Sequence, residues 1–216
     1  MSIPVSGETN KRFQLERMIL FSDAVFAIAI TLLVIELKVP EINGPVSEEK
    51  ILNALLFISP KFIGFLVSFF LIGLYWTVHH RLFGYLNGYT PKLLWINLFF
   101  LLGIVLMPFS TSLYSQYIFD YLETPVIFYT ANVCFLGMMN FFLWRYICNK
   151  KNQISIPIPP GISVYYSFRA LSVPVIFIFT LIVYLFKPRY AILIPPFIPV
   201  IMNIATRRFR KKLGVK

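Results

Sequence analysis

The chain has 216 residues, of which 58% are hydrophobic, 18% aromatic and only 13% charged. Soluble domains run at roughly 45–50% apolar with about a quarter of residues charged, so this composition excludes an ordinary soluble fold and points to an integral membrane protein. The net charge of +11 sits in connectors and at the chain ends rather than on one face, which argues against nucleic acid as a partner.

Residues 1–17 are polar and mixed in charge, with no cleavable signal peptide apparent, so the N-terminus is expected in the cytoplasm. Six apolar spans are expected, at 18–37, 62–78, 93–114, 125–144, 165–186 and 190–206, within a single all-α domain covering 1–216. The first span is a short uninterrupted apolar run with charged ends. From Ala24 to Ile35 there are 12 residues, and Thr31 alone among them has a polar side chain. They cover roughly 18 Å, short of a hydrocarbon core roughly 30 Å thick. Spanning therefore takes Asp23 and Glu36 to the membrane's edges or into it, and intramembrane carboxylates face protein or water rather than lipid. Within the helix, Ile28, Leu32 and Ile35 fall at i, i+4 and i+7 on one face, with Thr31 beside them. On a generic membrane helix such a stripe means packing. Between charged ends it also suits a narrow apolar constriction with hydrated mouths.

Lys38 to Lys50 is a polar loop, and the apolar stretch 51–58 reads as a surface helix or as the first turns of the second span. That span closes on Tyr75-Trp76-Thr77-Val78-His79-His80-Arg81, where an aromatic belt is the plain interpretation. Neighbouring histidines point to different faces of a helix, which makes two-point metal ligation awkward. In the third span Asn97 is an amide that needs a partner, with Ser22, Asp23 or a histidine as candidates, and Pro108 is expected to kink the helix. Arg17 and Asp23 are candidates to pair near the cytoplasmic boundary. Cys134 and Cys148 have no ligand spacing. No nucleophile elbow, phosphate loop or membrane metalloenzyme motif is present, so no catalytic residue, metal or cofactor is assigned and no enzyme activity is expected.

With the N-terminus inside, 15 of the 20 Lys and Arg fall on the cytoplasmic side, so six spans with both termini cytoplasmic satisfy the positive-inside rule. The run from Arg207 to Lys212 is then a topology signal or an anionic-lipid contact.

Arg17-x-x-x-Phe21-Ser22-Asp23, followed by Ala-Val-Phe-Ala-Ile-Ala-Ile-Thr-Leu-Leu, resembles the signature of the transmembrane protein 175 family of endolysosomal potassium channels and its prokaryotic relatives. Trp76-x-x-His79-x-Arg81-Leu82-Phe83 and Asn97-Leu98 through Pro108-Phe109 fit the same pattern. The last three spans are similar only in number, length and Pro/aromatic character. The resemblance implies a cation channel without a carbonyl filter loop, with animal members carrying two six-helix repeats. One repeat here implies a homotetramer in a prokaryotic plasma membrane, its first helices lining a central pore. It places the filter and gate at Ile28, Leu32 and Ile35, with Thr31 alongside and potassium as the permeant ion. It gives Arg17, Phe21, Ser22 and Asp23 a structural role, tying the first helix to the second and third through Trp76, His79 and Asn97. Glu36 is expected to supply charge at the pore mouth. The alternative of another class is a proton-linked secondary transporter with Asp23 as carrier; the absence of a second Phe-Ser-Asp stretch weakens it.

Overall fold

A computed structural model describes residues 6–42, 44–117 and 120–191, together with Ile194 and Phe197. Its helices are α1 (Ser6–Ile35), α2 (Glu48–Phe57), α3 (Ser59–Phe83), α4 (Pro91–Val105), α5 (Met107–Tyr117), α6 (Glu123–Cys148), α7 (Pro160–Phe186) and the short α8 (Pro188–Ala191). Among the described residues, five stretches are long and apolar enough to cross a membrane: Asn10–Ile35, Ser59–Phe83, Pro91–Tyr117, Glu123–Cys148 and Pro160–Phe186. The expected sixth span, 190–206, and the basic run 207–212 lie almost entirely outside the described residues.

Local chemistry accounts for the boundaries. Ser47 caps α2 by accepting from the Lys50 amide at 3.3 Å, and Glu48 and Glu49 occupy the first turn, where carboxylates favour the helix dipole. The stretch 51–58 is thus part of a separate helix, and α3 restarts at Ser59 with Pro60 in its first turn. Thr90 caps α4 in the same way, accepting from the Leu93 amide at 3.2 Å, with Pro91 following it. The third span is broken at Leu106 into α4 and α5. Pro108 has no N–H to give the carbonyl of Ile104, and its ring crowds that carbonyl. Each of the five described spans runs beyond its expected bounds at one end or both, the first two most of all. The helix α3 continues through His79 to Phe83, and α1 reaches back past Arg17, where Arg12 and Glu16 pair one turn apart at 3.4 Å.

The helix α1 packs on α3, α4 and α5; α6 lies against α4 and α5 and carries α7 on its other side. Lipid is as apolar as leucine, so close packing, not water exclusion, selects these contacts. Two glycines mark the tightest approaches. A Cβ at Gly103 in α4 would sit 2.7 Å from Leu136 of α6, and one at Gly137 in α6 would sit 2.0 Å from the Pro174 ring of α7. One buried cluster joins Phe26, Leu33, Ile72, Phe100, Ile104 and Leu136 in the middle of the bundle. A second gathers Met18, Leu82, Leu93, Trp144, Ile147 and Tyr166 at the end that carries the 84–90 and 149–159 connectors. Those two connectors are laced together there, with the Asn87 amide donating to Ile154 O at 2.9 Å and the Ile156 amide to Tyr85 O at 3.0 Å.

Candidate functional site: the two faces of the first helix

The helix α1 has a packed face and an open one. Met18, Ser22, Phe26, Ala29 and Leu33 are buried against the neighbouring helices. Phe21, Ala24, Ile28, Thr31 and Ile35 are exposed, separated alternately by three and four residues, and Leu32 flanks them. That spacing averages 3.5 residues, the period of a seam between helices. Ile28 is 58% exposed, Leu32 40% and Ile35 65%, so among the described residues this apolar stripe is left largely open. The Thr31 hydroxyl donates back to its own helix, to Ile28 O at 2.9 Å and Ala27 O at 3.1 Å. Its proton is thus committed, and the oxygen presents lone pairs outward from the open face.

Ser22 and Asp23 hold the packed face in place. The Ser22 hydroxyl donates to Met18 O at 2.8 Å and accepts from Asn97 Nδ2 of α4 at 2.9 Å. Asn97 Oδ1 lies 2.9 Å from His79 Nε2 of α3. An amide oxygen only accepts, so His79 carries its proton on Nε2 in this bond. Its ring is stacked on Phe83 with centroids 3.9 Å apart and lies parallel to Phe100 at 5.6 Å, within 7°. All three polar residues are buried: Ser22 and Asn97 are at 0% exposure and His79 is at 1%. Alongside this chain, Trp76 Nε1 of α3 donates to Asp23 Oδ1 at 3.0 Å. Three helices are therefore fastened at one level by three interhelical side-chain bonds, two of which end on the adjacent residues Ser22 and Asp23 of α1.

Arg17 and Phe21 lie elsewhere. Both are exposed, on the open face that continues into Ile28 and Ile35, and the Arg17 guanidinium lies over the Phe13 ring at 5.7 Å. The expected Arg17–Asp23 pair is not formed, because six residues of helix turn the two side chains roughly 120° apart. Glu36 sits in the turn that ends α1, and its Oε2 accepts from the Ser112 hydroxyl of α5 at 2.6 Å.

Sequence reasoning did not single out Ser112, nor the buried hydroxyl seam beside it. There, Thr111 donates to Ser68 Oγ at 2.7 Å, Ser68 meets the Tyr129 hydroxyl at 2.9 Å, and Asn132 Nδ2 donates to Ser110 Oγ at 3.1 Å. The available signal was the dense Ser-Thr-Ser run at 110–112 following Pro108 in an otherwise apolar span.

Fold and site together define a multi-pass, all-helical membrane protein whose first helix is bolted inward by a polar cluster and open on its other side. Residues 17–108 match the family described as "Endosomal/lysosomal potassium channel TMEM175". Over that stretch, which is less than half of the chain, the sequence is similar to the TMEM175 family, whose description is that of an ion channel. A protein named a potassium channel from Streptomyces collinus is 38% identical over 98 residues, 45% of this chain and 46% of that protein. Another so named from a Chryseobacterium strain is 41% identical over 96 residues, 44% of this chain and 46% of that protein. The matched stretch thus spans about half the length of these curated relatives. The crystal structure of a Chamaesiphon minutus homologue, described as a lysosomal potassium-selective channel TMEM175 homologue, superposes with a TM-score of 0.75. It is 22% identical, covering 89% of this chain and 98% of that one, and it establishes the shared fold.

Proposed function

We propose that four copies of this chain form a potassium-permeable channel in a prokaryotic plasma membrane, with the open face of α1 lining the pore. The observation that carries this is the uncovered stripe Ile28, Thr31, Leu32 and Ile35 on the same helix whose opposite face is fixed by Ser22 and Asp23. Four such stripes about a central axis make stacked apolar rings over roughly 10 Å. Rings of this kind gate by dewetting and require an ion to shed part of its hydration. Potassium sheds water more readily than sodium, so modest selectivity arises without a carbonyl cage. Thr31 oxygens replace some of the lost hydration, and Glu36 concentrates cations at one mouth. Ser22, Asp23, Trp76, His79 and Asn97 keep each α1 in register with its own α3 and α4. We infer six spans with both termini cytoplasmic from the distribution of Lys and Arg, the run from Arg207 to Lys212 serving as a topology signal or an anionic-lipid contact.

A proton-linked transporter with Asp23 as carrier is not favoured, since that carboxylate is engaged by Trp76 of α3. The test is a planar bilayer with purified protein under bi-ionic potassium and sodium. Discrete current steps with a reversal potential favouring potassium are expected; smooth, saturable, proton-coupled flux would contradict the channel.

A further inference from the structure

The geometry points to Ser112 as the positioning residue that holds the Glu36 carboxylate at the mouth of the conduction path. This inference rests on the channel reading and deepens it. Glu36 follows the last residue of α1, in a turn closed by the Leu37 amide on Val34 O at 3.0 Å and the Lys38 amide on Glu36 O at 3.1 Å. The turn fixes the backbone but leaves an exposed, flexible glutamate side chain free to swing away. The 2.6 Å bond from Ser112 Oγ to Glu36 Oε2 removes that freedom, at a length characteristic of a hydroxyl donating to a charged oxygen. It occupies one carboxylate oxygen and leaves the other open.

Ser112 is well placed for this. It stands on α5 beside Thr111, which is bonded to Ser68, and two residues from Ser110, which accepts from Asn132. The helix that presents the hydroxyl is thereby pinned to both α3 and α6. Among the described residues no cation pairs with the carboxylate, the one ion pair there being Arg12–Glu16 at the other end of α1. A fixed, unpaired negative charge one residue beyond Ile35 raises the local cation concentration, and four such charges in a ring act together. Their reach follows the Debye length, roughly 30 Å at 0.01 M salt and roughly 3 Å at 1 M.

The test is the unitary conductance of the full chain in planar bilayers, for cations entering from the Glu36 side, at about 10 mM and at about 1 M potassium. Ser112→Ala is expected to lower conductance about twofold at low salt and to leave it unchanged at high salt. Glu36→Gln should lower it at least as much, and Ser112→Thr, which keeps the hydroxyl, should match the parent. Three results overturn the proposal: Ser112→Ala equal to the parent at low salt, an equal fractional loss at both salts, or Glu36→Gln without effect at low salt. If the parent protein carries no current, the channel reading falls and this one with it. Parent current with an unaffected Ser112→Ala removes the role of Ser112 alone.

Discussion

Asn97 is the middle link of the Ser22–Asn97–His79 chain, and replacing it by leucine isolates what that chain contributes. Leucine matches asparagine in branching and heavy-atom count, so no cavity opens, though its bulkier methyl groups add some overpacking. The substitution removes both bonds of a residue at 0% exposure. The two former partners are affected unequally. Ser22 keeps its donor bond to Met18 O and loses only a bond it accepted. His79 is left with a buried Nε2–H and no acceptor, its ring held between Phe83 and Phe100. A stranded buried donor costs about 1–3 kcal/mol, and interhelical bonds in membranes fall toward the lower end. A loss of about 1–2 kcal/mol is expected. His79→Phe preserves the stacking and strands Asn97 Oδ1 instead. The double variant strands neither group, so the cycle should return a coupling of about 1 kcal/mol. Reversible unfolding in mixed detergent–lipid micelles, followed by far-UV circular dichroism, measures each corner. Additive single effects, or an Asn97→Leu cost below about 0.3 kcal/mol, would refute the argument that this chain fastens α1 to α3 and α4.

Gly137→Ala places a Cβ against the Pro174 ring and should cost about 1–3 kcal/mol by overpacking; an unchanged thermal midpoint in detergent would count against the tight α6–α7 contact. Trp76→Phe strips Asp23 of its donor and should lower stability by about 1.5–3 kcal/mol. Adding Asp23→Asn should recover part of that loss, since the carboxylate no longer has to be held charged; no recovery in size-exclusion thermal assays contradicts the pairing. Thr31→Ala should shift the potassium-to-sodium reversal potential while leaving the oligomer intact, and an unmoved reversal potential removes the hydroxyl from the permeation path.

Some of this was legible in the chain itself, for identifiable reasons. The open face of α1 could be read because Ile28, Leu32 and Ile35 repeat at helical spacing between two charged ends, a pattern local in sequence. Asn97 was readable as a residue in need of a partner, and the three candidates included the two it uses, Ser22 and His79. The choice among them depends on how α1, α3 and α4 cross, which no local spacing encodes. The limits of α3 were misjudged because His79, His80 and Arg81 look like interfacial residues, whereas His79 is closed in by Phe26, Phe83 and Phe100. Arg17 and Asp23 attracted a pairing by charge alone, and helix phase sends them apart. The Glu36–Ser112 bond joins residues 76 positions apart, and a serine in a hydroxyl-rich run carries no mark of its partner.

The open face of α1 is proposed to meet the permeating ion, and Ile28 is its nearest reporter. Single-channel recording of the parent and Ile28→Asn under bi-ionic potassium and sodium puts the claim to measurement. Wetting the Ile28 ring is predicted to raise conductance and to move the reversal potential toward zero. Conductance and selectivity identical to the parent, in a variant that assembles normally, would place the conduction path away from this helix.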